Sequence, residues 1–147
     1  MAELRTKKVA QACPLCRAEL PPGVDGLYEL AYRAYTRIEG MVDRGEVSRA
    51  SLPAAEQEEL DEAVAMLTEA AAQGHIMAQV CLADIYSFGD GVAQDHGRAY
   101  ELYRQAAQQG CARSQFNLGV RYRIGQGCEQ SHEQAVEWWA KAAEQGD

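Results

Sequence analysis

Sliding the sequence against itself by 36 positions lays residues 74–109 on residues 110–145 with 13 identical pairs in 36, where ordinary residue frequencies give about two or three by chance. Gly74 falls on Gly110, Gln79 on Gln115, Leu82 on Leu118, Tyr86 on Tyr122, Gly89 on Gly125 and Gly91 on Gly127. The match continues through Gln94 and Gln130, His96 and His132, Ala99 and Ala135, Glu101 and Glu137. It ends with the Ala106-Ala107 and Ala142-Ala143 pairs and with Gln109 on Gln145. A tandem period of this length means a stacked array of helical units, because each unit buries its apolar face only against its neighbours.

Each copy carries two helical patterns. In the first, Ala78, Leu82, Ile85 and Tyr86 recur at three and four residues, which places them on one stripe of a helix. Gly89-Asp90-Gly91, and Gly125-Gln126-Gly127 in the next copy, then turn the chain. A phosphate-binding loop is the competing reading of these glycines, but it needs a preceding strand, and a Walker loop also needs its Lys and Ser/Thr. Asp95 and Ser131 stand where the second helix begins and suit its N-cap. Its buried stripe is Ala99, Leu102, Tyr103, Ala106 and Ala107 in one copy, and Ala135, Trp138, Trp139, Ala142 and Ala143 in the other.

Upstream, Ala63, Leu67, Ala70, Ala71, Gln73 and Gly74 lie 36 residues before Ala99, Tyr103, Ala106, Ala107, Gln109 and Gly110. A third, degenerate unit therefore opens the array, with Pro53 in the first turn of its second helix. Its first helix follows the breaker Pro21–Gly26, with an apolar stripe of Leu27, Leu30, Ala31, Ala34, Ile38, Met41 and Val42. Tyr28, Tyr32 and Tyr35 form an adjacent aromatic face that suits packing against a neighbouring helix. The expected fold is all-α, an α-solenoid of three antiparallel helix pairs over residues 24–147. The helices should lie near 25–44, 53–73, 76–88, 96–109, 112–124 and 132–145.

The repeated wording Ala-Gln-x-x-Leu-Ala/Gly-x-x-Tyr-x-x-Gly-x-Gly, followed by Ala-x-x-Trp/Tyr-x-x-Ala-Ala-x-Gln-Gly, resembles the Sel1-like repeat, a relative of the tetratricopeptide repeat. Two full copies, Gly74 to Gly146, carry the resemblance. Cys81 departs from the asparagine kept as Asn117, and Cys128 from the valine kept as Val92. The resemblance implies a right-handed solenoid that serves as an adaptor and has no chemistry of its own.

Residues 1–23 read differently. Cys13-Pro-Leu-Cys16-Arg17 followed by prolines resembles the last ligand pair of a RING finger. Two thiolates cannot close a tetrahedral zinc site, which takes four ligands, and the 12 residues before Cys13 hold no Cys or His. No metal or other cofactor is expected in the monomer, and zinc at Cys13 and Cys16 would need ligands from elsewhere. A ubiquitin ligase with upstream zinc ligands missing from this chain is the alternative reading.

The formal charge of −8 disfavours nucleic acid and anionic membrane surfaces as partners. No stretch reaches the length of about 20 apolar residues that a membrane span requires. The charged opening and five cysteines, an odd number, point to reduced thiols and a cytoplasmic, intracellular protein. No nucleophile motif, His-Glu-x-x-His or dinucleotide fingerprint occurs, so an enzyme is not expected.

A protein or peptide partner is expected on the concave side, which the first helix of each pair lines in arrays of this type. In the last copy the non-core stripe of that helix reads Arg113, Asn117 and Arg121, and one copy earlier Met77, Cys81 and Ile85 with Asp84 beside them. Two guanidinium groups flanking an amide suit a carboxylate. As exposed residues, both arginines should be replaceable by Glu at little cost in stability. The last repeat has no polar cap after it, so one of Trp138 and Trp139 should be exposed there and could support self-association.

Overall fold

The computed structural model describes residues 23–89 and 91–145. Six helices follow one another: α1 (Val24–Asp43), α2 (Ala54–Ala72), α3 (Ile76–Phe88), α4 (His96–Gln108), α5 (Ala112–Ile124) and α6 (His132–Glu144). Each agrees with the expected span to within a residue or two. No strand occurs among the described residues, only a lone antiparallel bridge between Ser48 and Ser51 in the α1–α2 loop. The Cys13–Cys16 segment lies outside the described residues.

Local chemistry sets the helix ends. Asp95 accepts from the Arg98 amide at 3.0 Å and Ser131 from the Gln134 amide at 3.3 Å, so both expected caps are present. Pro53 takes the N-cap position of α2. Helix α3 has an imidazole cap instead, with Nδ1 of His75 accepting from the Ala78 amide at 3.1 Å. At the C-termini of α3 and α5, Gly89 and Gly125 adopt φ of 69° and 71°, a left-handed turn that ends the helix.

Packing runs from each helix to the next, with α1 also reaching α3. The core is correspondingly divided. Val24 and Ala31 meet Ala63, Leu67 and Ala70 of α2 and Ala78, Leu82 and Ile85 of α3. Farther on, Ile76, Val80, Ala106 and Cys111 form one patch, and Ala83, Ala99 and Tyr103 another. Such a stack has no single centre, and each hairpin depends on its neighbours.

The residues shared between the copies build this stack twice over. Gln79 donates to the Ala71 carbonyl at 3.2 Å and Gln115 to the Ala107 carbonyl at 3.2 Å, each tying its helix to the end of the preceding pair. Gln109 closes on Gln79 at 2.9 Å as Gln145 closes on Gln115 at 2.8 Å. Gln94 donates to the Ser87 carbonyl at 2.8 Å and Gln130 to the Arg123 carbonyl at 2.7 Å, bracing the two glycine turns. Gly127 lies so close to the start of α4 that a Cβ there would meet the His96 carbonyl oxygen at 2.1 Å.

Two details differ from the sequence expectation. Leu30 is 37 % and Tyr32 44 % exposed, while Tyr28 is the aromatic that stacks on His75, 4.5 Å between ring centroids. The tryptophans of α6 are partly buried: Trp139 donates to the Phe116 carbonyl at 3.1 Å in space left by Gly119, and Lys141 lies over the Trp138 ring at 4.2 Å. The exposed large apolar side chains of the last hairpin are Phe116 (55 %), Ile124 (50 %) and Val136 (62 %). Phe116 stands where Val80, fully buried under the following repeat, stands one copy earlier.

Candidate functional site

Helices α3, α4 and α5 enclose an open concavity of about 340 Å³. Asp84, Ser87 and Phe88 come to it from α3, Tyr103 from α4, and Arg113, Asn117, Val120 and Arg121 from α5, with Gln126 at the turn. These α3 and α5 residues share a face because they recur at three and four positions along their helices. Four of the six residues singled out from the sequence, Asp84, Arg113, Asn117 and Arg121, are thus brought together.

The other two are elsewhere. Met77 is half-buried and not part of the concavity. Cys81 is 8 % exposed and belongs to the core under α1, against which Tyr28 packs. Burial pushes the Cys81 thiol up to about 11, so it is neither a contact surface nor a ready nucleophile.

The polar groups of the concavity form a chain across the repeat boundary. Arg113 donates to Oδ2 of Asp84 at 2.8 Å, and the Tyr103 hydroxyl donates to Oδ1 of the same carboxylate. Burial first, and then the neighbouring Asp84 charge, hold Tyr103 far above its ordinary range, so it stays a phenol. Its ring carries the Arg121 guanidinium at 5.1 Å.

Arg121 is the largest departure from expectation. It is 5 % exposed rather than an open surface cation. One terminal nitrogen, Nη2, donates to Ser87 Oγ, and the other contacts His96 Nδ1 at 3.3 Å and Gln126 Oε1 at 3.5 Å. The Nε hydrogen has no partner. A glutamate here would bury a carboxylate among these groups, so the expectation that Arg121→Glu spares stability is corrected. The helical spacing alone could not distinguish a buried arginine from an exposed one, since Arg113, Asn117 and Arg121 share one stripe.

Sequence reasoning also missed Ser87, Phe88, Tyr103, Val120 and Gln126. Ser87 and Phe88 could have been found by stepping three and four residues from Asp84. Tyr103 falls on the predicted core stripe, and its ring is buried, but its hydroxyl reaches the carboxylate of Asp84.

Among the described residues no group of three or more His, Cys, Asp or Glu could hold a metal ion. None of the helices described is long and apolar enough to cross a membrane.

The Sel1 repeat model matches residues 55–75, 76–111 and 112–147; the last two matches span the α3–α4 and α5–α6 pairs, and the first spans α2 without α1. A Sel1 repeat protein from Oxalobacter formigenes superposes with a TM-score of 0.66 at 29 % identity, over 84 % of this chain and 82 % of that one. A protective antigen of uropathogenic Escherichia coli with an SLR fold gives 0.67 at 31 % identity, over 84 % of this chain but 23 % of that longer one. Cysteine rich protein B of Helicobacter pylori shares the fold at 21 % identity, with a TM-score of 0.58 over 84 % of this chain and 89 % of that one. None of the curated proteins matches this sequence. The RING-like reading of Cys13 and Cys16 gains no support from any of these likenesses. With repeats accounting for residues 55–147 and Sel1 structures sharing its architecture, this chain belongs to the Sel1 repeat family, whose members are typically non-catalytic scaffolds for protein binding.

Proposed function

We propose that this chain is a protein–protein interaction adaptor that holds a peptide or protein partner on the face formed by α3 and α5. One observation carries the reading. Positions identical between the two full copies make the hydrogen bonds and turns of the stack, whereas Met77 against Arg113, Cys81 against Asn117 and Ile85 against Arg121 are apolar in one copy and polar in the next. A scaffold that needed only to stack would repeat its apolar residues there. The polar set collects around one concavity, at the junction of two repeats, where partner surfaces of helical arrays form. The free thiols of Cys81, Cys111 and Cys128 suit a reducing compartment, and the adaptor is proposed to work inside the cell.

The test compares two exposed arginines. Arg113 lines the concavity, and Arg33, on α1, does not. A partner captured by the wild-type chain should be lost with Arg113→Glu and kept with Arg33→Glu. Capture that survives Arg113→Glu, or fails with Arg33→Glu, would move the partner surface off this face.

A further inference from the structure

We infer that Arg121 is the floor of a carboxylate subsite, and that the group it takes is the free C-terminal carboxylate of a partner peptide whose last side chain is apolar. This rests on the adaptor reading of the same face and specifies its ligand.

Arg121 does not belong where the fold puts it. Ile85, one repeat earlier, is fully buried at the same register and packs in the core. That register therefore takes a branched apolar side chain in one repeat, whereas at 121 the side chain meets Ser87, His96 and Tyr103. Arginine there is 5 % exposed, with an unpartnered Nε. Among the described residues no Asp or Glu oxygen lies within 4.0 Å of its guanidinium, whereas Arg113 has Asp84 at 2.8 Å. A buried cation without a counter-ion is costly, and replacing such a group by an apolar one of similar volume is often neutral or stabilising. A local rule broken at a stability cost, on a concave surface, marks a ligand position.

Asp84 does not cancel the site, because it is engaged by the Tyr103 hydroxyl and by Arg113. The contacts of Arg121 Nη1, at 3.3 and 3.5 Å, are long and involve no carboxylate, so an anion can replace them with a stronger, charge-assisted bond. Asn117, four residues before Arg121, adds an amide that can both donate to a carboxylate and accept a peptide N–H.

The apolar side chains beside the cation select the source of the carboxylate. Phe88, 67 % exposed, and Val120 line the same small concavity as the cation. A chain terminus carries its carboxylate and its last side chain on one carbon, so both can enter together. An internal Asp or Glu would bring the anion on a methylene stem and leave Phe88 and Val120 facing polar backbone.

An array of acetyl-capped hexapeptides with apolar last residues, each made as the free acid and as the amide, tests this against the full chain. Free acids should bind about tenfold or more tightly than their amides, the loss expected for one hydrogen bond to a charged group. Arg121→Met should abolish that preference while melting at the same or a higher temperature than wild type, which a purely structural arginine would not allow. Should Arg121→Met fail to fold, Asn117→Asp adds a negative charge on the partly exposed stripe, and it should remove the acid preference with the helical signal intact. Equal binding of acids and amides, or no binding at all, overturns the subsite. If capture of a protein partner still depends on Arg113 in that case, the adaptor reading stands without it; if capture is also indifferent to Arg113, both fall.

Discussion

Replacing Gly127 by alanine should loosen the join between the second and third repeats far more than the same change at Gly110. Both residues adopt a left-handed backbone, with φ of 75° at Gly127 and 92° at Gly110. The torsional penalty of a Cβ in that region is therefore common to both, about 1–2 kcal/mol. At Gly110 the added carbon meets nothing within 4 Å. At Gly127 it would lie 2.1 Å from the His96 carbonyl oxygen, 2.5 Å from its carbon and 3.0 Å from the Gly97 nitrogen. These are backbone atoms in the first turn of α4 and cannot swing aside as a flexible side chain could. Overpacking costs typically about 1–3 kcal/mol, and a backbone obstacle places Gly127 toward the upper end. The sum is about 3–5 kcal/mol for Gly127→Ala against about 1–2 for Gly110→Ala. Small domains have only about 5–15 kcal/mol in total, so the difference is large enough to read. Urea unfolding followed by helical circular dichroism would measure both. Hydrogen exchange would add the location: in a stack held by neighbour contacts, amides of α5 and α6 should lose protection before those of α1 to α3. Equal destabilisation by the two substitutions, or uniform loss of protection, would refute the idea that Gly127 is required by repeat contact.

Three further outcomes follow from single side chains. Gln79 is 3 % exposed and bonds both the Ala71 carbonyl and Gln109, so Gln79→Ala should cost about 2 kcal/mol in urea unfolding, roughly one per lost bond. His75 has its folded-state pKa lowered from 6.5 by burial; stability should be fully present above that value and fall as pH drops below it, and His75→Asn should flatten this acid limb of a pH–stability curve while retaining an α3 cap. Brief iodoacetamide treatment near about pH 8 should label half-buried Cys128 before Cys81, whose thiol is pushed up to about 11, and mass mapping that finds the reverse order would show that α3 opens readily.

The repeat made the architecture legible, because identity at a fixed spacing reports shared geometry. Gln79 and Gln115 recur because each must reach the carbonyl of the preceding helix pair, and Gly91 and Gly127 because each lies against that pair. Those residues could be located without coordinates. Burial within α5 could not, since a stripe spaced by four contains the half-exposed Arg113 and the enclosed Arg121 alike. What separates them is that the residue at 121 faces α4, where Tyr103 lies under the guanidinium, while the residue at 113 reaches Asp84 nearer the mouth. That depends on how one hairpin sits on another.

Cys81 shows the same limit from the other side. Its register partner Asn117 is on the concavity, so symmetry placed Cys81 there too. In the second repeat, however, the equivalent position faces α1 and Tyr28, and the preceding helix pair has a longer first helix than any later one, with 20 residues in α1 against 13 in α3. The same register therefore meets a different neighbour in each unit. In a stack, a repeat position specifies its own backbone geometry, but its exposure is set by the unit packed against it. The functional surface of such an array is read from where successive units differ, and Ile85 against Arg121 is the pair in which that difference has the largest physical consequence.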